Sequence, residues 1–239
     1  FDTDGKTDLI VGAPGYSLSA GRIYLFYNGF STNTADFADV IIDGAASSGF
    51  GQKLAAGDLN ADGKTDVIAS TYIYSSNTGR VYIFYQTAFF NPGSVSGADV
   101  TMTGSGTSNS FGYSLITSDF NLDGKVDLAV SAYQYSTTTG RVYIFYNDGS
   151  YPTTAATADV TLTGPATSSN FGLSIGTGDI NADGRQDLIV GASGVSSSAG
   201  QAYIYEGRDN YSWTLQNQAV GTSRISVAGV GEELAITGS

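Results

Sequence analysis

The sequence predicts an all-β fold, a β-propeller of four four-stranded blades. Three observations predict it. An acidic loop recurs at nearly even spacing, the same short β-branched runs follow each copy, and no stretch holds a sustained helical periodicity. The loop reads D-x-N-x-D-G-x-x-D and stands complete at 58–66, 119–127 and 179–187, with a clipped copy at 2–8. At its third position the copies fall on Asp2, Asn60, Asn121 and Asn181, at intervals of 58, 61 and 60 residues. The repeat units therefore run over about 1–49, 50–110, 111–170 and 171–230 of a single domain. Units of this length with four strands stack radially, which leaves only short, protected edges. A β-helix has far shorter repeats, and a sandwich would not repeat its loops so faithfully.

Each unit has the same plan. A short strand, such as Lys53-Leu54-Ala55 or Ser114-Leu115-Ile116, leads into the acidic loop. A buried run follows: Leu9-Ile10-Val11, Val67-Ile68-Ala69, Leu128-Ala129-Val130 and Leu188-Ile189-Val190. After a Ser/Gly/Thr-rich loop, Gly-Arg opens an alternating strand, as in Val81-Tyr82-Ile83-Phe84-Tyr85 and Val142-Tyr143-Ile144-Phe145-Tyr146. The fourth copy is looser, Gln201-Ala202-Tyr203-Ile204-Tyr205. The last strand is Val40-Ile41-Ile42, Val100-Thr101-Met102 or Val160-Thr161-Leu162, with Arg224-Ile225-Ser226-Val227 in the fourth unit. Phe50-Gly51, Phe111-Gly112 and Phe171-Gly172 then introduce the next unit. The first unit has no innermost strand. Residues 231–237, GEELAIT, resemble 51–57, GQKLAAG, and are expected to pair into the first blade and close the ring. The competing reading is that they begin a fifth unit.

Oxygen side chains at positions 1, 3, 5 and 9 of the acidic loop, with a backbone carbonyl at 7, wrap a hard cation, and Gly at 6 permits the sharp turn. Ca²⁺ suits such a loop because it accepts several oxygens in flexible geometry. The expected ligands are Asp58, Asn60, Asp62, Lys64 (carbonyl) and Asp66, then Asp119, Asn121, Asp123, Lys125 and Asp127, then Asp179, Asn181, Asp183, Arg185 and Asp187. The basic side chains at position 7 are expected to point to solvent. The opening copy keeps Asp2, Asp4, Lys6 and Asp8 but lacks position 1, so three full sites and a weaker fourth are expected.

Composition narrows the function. A net charge of −12 argues against nucleic acid and acidic membrane surfaces. The chain has neither His nor Cys, which removes the commonest general base, the Ser-His-Asp triad and any disulfide. No apolar run is long enough to span a bilayer. The chain starts at Phe1 without Met or a visible signal peptide and reads as a trimmed or excised product.

Tyr16, Tyr72, Tyr74, Tyr133 and Tyr135 follow the second strand of their units, at the rim opposite the acidic loops. Such rings suit sugar or protein contact, having apolar area and a hydroxyl together; capping the central channel is the equal alternative. Tyr82 and Tyr143 recur in the third strand and read as packing residues, and Arg22, Arg80 and Arg141 as partners of acids on a neighbouring strand. Trp213 is either a packed anchor or a binding residue, and Asn210-Tyr211-Ser212 fits a glycosylation acceptor.

Phe50-Gly51, the loop 58–66 and Gly12-Ala13-Pro14 after Leu9-Ile10-Val11 together resemble the FG-GAP repeat of integrin α-subunit propellers and their bacterial and fungal relatives. The other units read Ser70-Thr71-Tyr72, Ser131-Ala132-Tyr133 and Gly191-Ala192-Ser193 in place of Gly-Ala-Pro. The resemblance implies Ca²⁺ at one rim and ligands at the opposite face or between blades. It departs in blade count, since family propellers usually carry seven. It further implies a secreted or cell-surface module for a protein or glycan partner; with the Asp clusters committed to the loops and Glu scarce, a monomeric, non-catalytic module is expected. The alternatives are a lectin, or an excised or designed structural propeller with no ligand of its own.

Overall fold

The computed structural model describes residues 4–27, 34–87, 90–195 and 200–207. Their strands form four antiparallel sheets, each a simple meander in chain order. The first holds β1 (Leu9–Ala13), β2 (Arg22–Phe26) and β3 (Val40–Asp43). The second holds β4 (Lys53–Gly57), β5 (Asp66–Thr71), β6 (Arg80–Phe84) and β7 (Val100–Thr103). The third repeats it with β8 (Leu115–Ser118), β9 (Asp127–Ala132), β10 (Arg141–Phe145) and β11 (Val160–Thr163). The fourth holds β12 (Phe171–Gly178), β13 (Asp187–Ala192) and β14 (Gln201–Tyr205). Helical backbone among the described residues is confined to turns of three or four residues. The expected strands at 224–227 and 231–237, Trp213 and the acceptor Asn210-Tyr211-Ser212 lie outside the described residues.

The middle strands β5, β9 and β13 are buried along their whole length, so both faces of each sheet need cover. Neighbouring sheets supply it. One core joins Ile23, Leu25 and Ile42 of the first sheet to Val67, Tyr82 and Phe84 of the second. The next joins Ile68, Val81 and Met102 to Leu128, Val130 and Phe145 of the third. The third core joins Ala129, Val142 and Leu162 to Leu188, Val190 and Tyr205 of the fourth. These three seams are the blade contacts of the propeller. Tyr82 and Tyr143 are 3% and 2% exposed within them, as packing residues should be.

The Phe-Gly pairs sit in the seams. Phe50, Phe111 and Phe171 are fully buried. Each ring meets the aromatic residues of its own third strand edge-on, as Phe111 does with Tyr143 at 5.6 Å and Phe145 at 6.4 Å. Each backbone N–H donates to the preceding sheet: Phe50 to the Ala20 carbonyl at 3.2 Å, Phe111 to Thr78 at 3.3 Å, Phe171 to Thr139 at 3.4 Å. Glycine is demanded on both sides of this contact. Gly79 holds φ +81°, and a Cβ there would lie 2.0 Å from the Phe111 carbonyl oxygen. Gly112 holds φ +89°, and its Cβ would come within 2.9 Å of the Ser70 Cβ.

The loop between second and third strands contains three successive left-handed residues: Ser17-Leu18-Ser19, Ser75-Ser76-Asn77 and Ser136-Thr137-Thr138. Such a run is costly, about 1–2 kcal/mol per non-glycine residue. It aims carbonyls at the segment that leads into the next blade, where Gly49 donates to Ser19 at 2.7 Å, Ser110 to Asn77 at 2.7 Å and Asn170 to Thr138 at 2.8 Å. The arginines depart in part from expectation. Arg22 pairs with Asp43 on β3, with Nε 2.5 Å from Oδ1. Arg80 and Arg141 instead donate to the hydroxyls of Thr103 at 3.2 Å and Thr163 at 3.0 Å, because the outer strand carries Thr where the first carries Asp.

The seam rings should dominate stability. Phe111→Ala is expected to cost about 3–5 kcal/mol, the usual range for an emptied aromatic site. Phe37→Ala, at a 63% exposed position, should change stability by no more than about 0.5 kcal/mol. Urea denaturation of the two variants checks both.

Candidate metal loops and tyrosine rim

Each acidic loop joins the end of an inner strand to the start of a middle strand, β4 to β5, β8 to β9 and β12 to β13. All three fold alike. In the first, the Asp62 N–H donates to both Asp58 Oδ1 and Asn60 Oδ1 at 3.0 Å, which brings two side-chain oxygens to one point. Asp123 does the same with Asp119 at 3.2 Å and Asn121 at 3.0 Å, and Asp183 with Asp179 and Asn181, both at 3.0 Å. The position-6 glycines hold φ of 83–85°, and Gly63, Gly124 and Gly184 donate to the second oxygen of the position-1 Asp at 2.8–2.9 Å. The position-7 N–H of Lys64, Lys125 and Arg185 donates to the position-5 carboxylate at 2.9–3.0 Å. Position 4 is left-handed too, at Ala61, Leu122 and Ala182.

The last Asp has a structural role that the spacing did not reveal. Asp66, Asp127 and Asp187 are fully buried. Asp66 Oδ2 accepts from the Leu59 N–H and Oδ1 from the Gln86 N–H, both at 2.8 Å, which latches the loop to the chain just past β6. Asp127 repeats this with Phe120 at 2.9 Å and Asn147 at 2.8 Å, and Asp187 with Ile180 at 2.9 Å and Gly207 at 3.0 Å. Burial pushes the carboxyls of Asp66 and Asp127 up to about 6, against the pull of those N–H donors.

The basic side chains do not simply point to solvent. Lys64 Nζ reaches Asp62 Oδ2 at 3.2 Å and the Gln86 carbonyl at 3.5 Å, and Lys125 Nζ reaches the Asn147 carbonyl at 3.1 Å. The opening copy keeps the same turn: the Lys6 N–H donates to Asp4 Oδ1 at 2.9 Å, and Lys6 Nζ lies 3.0 Å from Asp4 Oδ2. Asp8 is half-buried ahead of β1, and Asp2 lies outside the described residues.

Do these loops fit a cation? The donor set is all oxygen, with three carboxylates, one amide and one carbonyl per complete loop. Among the described residues no three acidic side chains are drawn into a metal-holding cluster. Their oxygens are turned onto backbone N–H groups, which hold like charges in place. Each carboxylate oxygen keeps a further lone pair beside the one its N–H uses, so coordination stays open to it. The loops fit a hard cation in composition and in backbone course.

The opposite rim is aromatic. Tyr72 follows β5, Tyr133 follows β9, and Tyr113 precedes β8. Tyr113 rests against both, at 4.8 Å from Tyr72 and 4.2 Å from Tyr133, with Lys53 Nζ 5.5 Å from its centroid. All three rings are half-buried, and burial raises the Tyr133 hydroxyl. Tyr16, Tyr74 and Tyr135 form a separate series, each under the guanidinium of Arg22, Arg80 or Arg141 at 3.9, 3.7 and 3.7 Å. Tyr113 and Lys53 are the members that sequence reasoning missed. The signal was the position after Phe-Gly, which holds Tyr here and Gln52 or Leu173 elsewhere.

Comparison with known proteins follows the same units. The profile of the FG-GAP repeat matches residues 1–26, 50–84, 111–145 and 171–205. The chain is 30% identical over 213 residues to integrin alpha-IIb of Mus musculus, covering 83% of this chain and 20% of that protein. It is 29% identical over 232 residues to phosphatidylinositol-glycan-specific phospholipase D of Bos taurus, covering 87% and 27%. It is 29% identical over 217 residues to integrin alpha pat-2 of Caenorhabditis briggsae, covering 80% and 17%. It thus spans less than a third of the length of each of these relatives.

The latch can be separated from cation binding. Asp127→Ala leaves two buried N–H groups without an acceptor, each worth about 1–3 kcal/mol. In excess chelator it should still lower stability by about 2–4 kcal/mol, read by urea denaturation; a chelated variant as stable as the chelated parent would show that the latch carries no weight.

Proposed function

The chain belongs to the FG-GAP repeat family, and on that premise we propose a Ca²⁺-dependent binding module, a four-bladed ring with cations on one rim and a protein partner on the other. The observation that carries the reading is the threefold convergence of Asp and Asn oxygens on one N–H in loops of identical course. Asp58, Asn60, Asp62 and Asp66, with the carbonyl of Lys64, would hold one ion, and the matching residues of the other two loops one each. Bound Ca²⁺ supplies positive charge that offsets the mutual repulsion of these carboxylates. Asp2, Asp4 and Asp8, with the carbonyl of Lys6, would make a weaker fourth site that lacks the position-1 carboxylate. Extracellular modules of this chemistry bind Ca²⁺ at about 10⁻⁴–10⁻³ M, which favours a secreted or cell-surface setting. The integrin relatives support the same setting and an adhesive role.

A protein partner is favoured over a glycan by the tyrosines. Tyr113 is already packed on two rings, and Tyr16, Tyr74 and Tyr135 each carry a guanidinium on one face. Ring faces are therefore scarce for stacking on a sugar, while edges and hydroxyls remain for a polar protein surface. The lectin reading keeps the same rim and would show itself in a glycan array. Catalysis, as the name of the phospholipase D relative would suggest, has little to draw on. The chain has no His, and the last Asp of each complete loop is held by two N–H groups.

Calorimetric titration of chelated protein tests the metal reading. Three ions of similar affinity and a weaker fourth are expected, with a melting temperature that falls by several degrees in chelator. Asp119→Ala with Asn121→Ala should remove one site. A melting temperature indifferent to chelator would overturn the reading. For the rim, a protein-ligand screen and a glycan array with Tyr72→Ala/Tyr133→Ala should show binding weakened at least about tenfold, or about 1.4 kcal/mol. A parent protein that binds nothing in either screen would favour a purely structural propeller.

A further inference from the structure

Charge is divided unevenly between the two rims. Each complete acidic loop carries three Asp. The segments that turn at the tyrosine rim are 12–22, 43–53, 71–80, 103–115, 132–141 and 163–173. They hold four cations, Arg22, Lys53, Arg80 and Arg141, and one carboxylate, Asp43. This rim is therefore locally positive on a chain of net charge −12. Its one carboxylate is already taken: Arg22 donates through Nε to Asp43 Oδ1 at 2.5 Å and through Nη2 to Oδ2 at 3.0 Å. The equivalent register sets Thr103 opposite Arg80 and Thr163 opposite Arg141. A threonine hydroxyl accepts the Nε–H and cancels no charge. Among the described residues neither arginine has a carboxylate partner. Both are nonetheless held. Arg80 lies 3.7 Å from the centroid of Tyr74, and Arg141 lies 3.7 Å from that of Tyr135 and 5.8 Å from that of Tyr143. Stacking leaves the edge of the guanidinium plane, where its N–H groups point, and Thr uses one of those donors.

We propose that Arg80 and Arg141 form a receptor for two carboxylates of an acidic protein segment laid across two neighbouring blades. This rests on the reading of the tyrosine rim as the partner face and names the chemistry of that partner. Arg22 with Asp43 is the internal precedent: the first blade supplies its own carboxylate, and the second and third take theirs from outside. A guanidinium whose Nε is engaged keeps its Nη fork, which matches the two oxygens of a carboxylate. Stacking on Tyr74 and Tyr135 fixes the plane of that fork beforehand, so less side-chain freedom is lost on binding. An acidic segment is repelled by the loops of the other rim and drawn to this one, which sets the face it meets. Tyr113, with Lys53 Nζ 5.5 Å from its centroid, lies on the same rim and offers the segment apolar area and a third cation.

The probe is a fluorescently labelled peptide of alternating Glu and Gly, beside one of alternating Gln and Gly. Both are read by fluorescence anisotropy in saturating Ca²⁺ at low ionic strength, where exposed charges are least screened. The Glu peptide should bind at least about tenfold more tightly. Thr103→Asp/Thr163→Asp gives the second and third blades the carboxylate of the first and should erase that difference. Asp43→Thr frees Arg22 and should tighten binding about two- to fivefold. Arg80→Lys/Arg141→Lys keeps the charge but loses the fork, and should weaken binding at least about fivefold. Melting temperatures report whether each variant folds; should the Asp pair melt early, Arg80→Gln/Arg141→Gln removes the same two receptors. A parent that binds both peptides alike overturns the proposal, and so does a folded Thr103→Asp/Thr163→Asp variant that binds like the parent. Lysine substitutions without effect would reduce the rim to diffuse attraction, and binding of heparin but not of the Glu peptide would make the partner a sulfated glycan; either result also overturns it. Because the probe is a synthetic peptide, a screen for a natural partner can fail while this measurement succeeds, and the reverse, so the two readings fail separately.

Discussion

Everything in this fold depends on one contact, the phenylalanine that opens a blade wedged against the glycine of the blade before it. A single blade is a small sheet with two apolar faces and cannot bury either by itself. The Phe111 ring, the Gly79 backbone and the Asn77 carbonyl meet where two blades join, and each is shaped for that junction. Stability in such an array accrues from one neighbour to the next, seam by seam. The strained left-handed turns make sense only in that light, because their cost is local and their hydrogen bonds are not.

The acidic loops hang on the same frame. Their final Asp is part of the blade, buried and fixed by donors from two segments, while the first three acidic or amide positions lie on the surface. A loop so latched holds its oxygens in a fixed arrangement. Lys64 at position 7 offsets part of the loop's charge through its pair with Asp62. An exposed pair of this type contributes little.

The described strands and their order were legible because repetition amplified weak signals: a five-residue run is ambiguous once and informative in four matching contexts. The packing role of Tyr82 and Tyr143 was legible for the same reason. Less of the site could be read. The burial of Asp66 depends on Gln86, twenty residues away, and spacing within a loop carries no trace of it. Ser-Thr-Thr at 136–138 has no preference for left-handed backbone, so its conformation comes from its bonds to Ser168 and Asn170, some thirty residues on, and not from its own sequence. Thr103 and Thr163 replace an acid as the arginine partner, which only the register of paired strands discloses. Tyr113 joins Tyr72 across a blade boundary, beyond the reach of any local pattern.

The placement of each phenylalanine has a consequence for how the chain is made. Phe50, Phe111 and Phe171 come first in their units yet complete a core shared with the unit already synthesised. During translation a blade therefore waits, with one apolar face open, until roughly sixty further residues have left the ribosome. At about 5–20 residues per second, that interval is about 3–12 s per blade. Over that interval the polar Ser/Thr loops and the charged rim are what keep the growing end soluble, and a codon-level pause placed after one wedge and its third strand would let each seam form before the next begins.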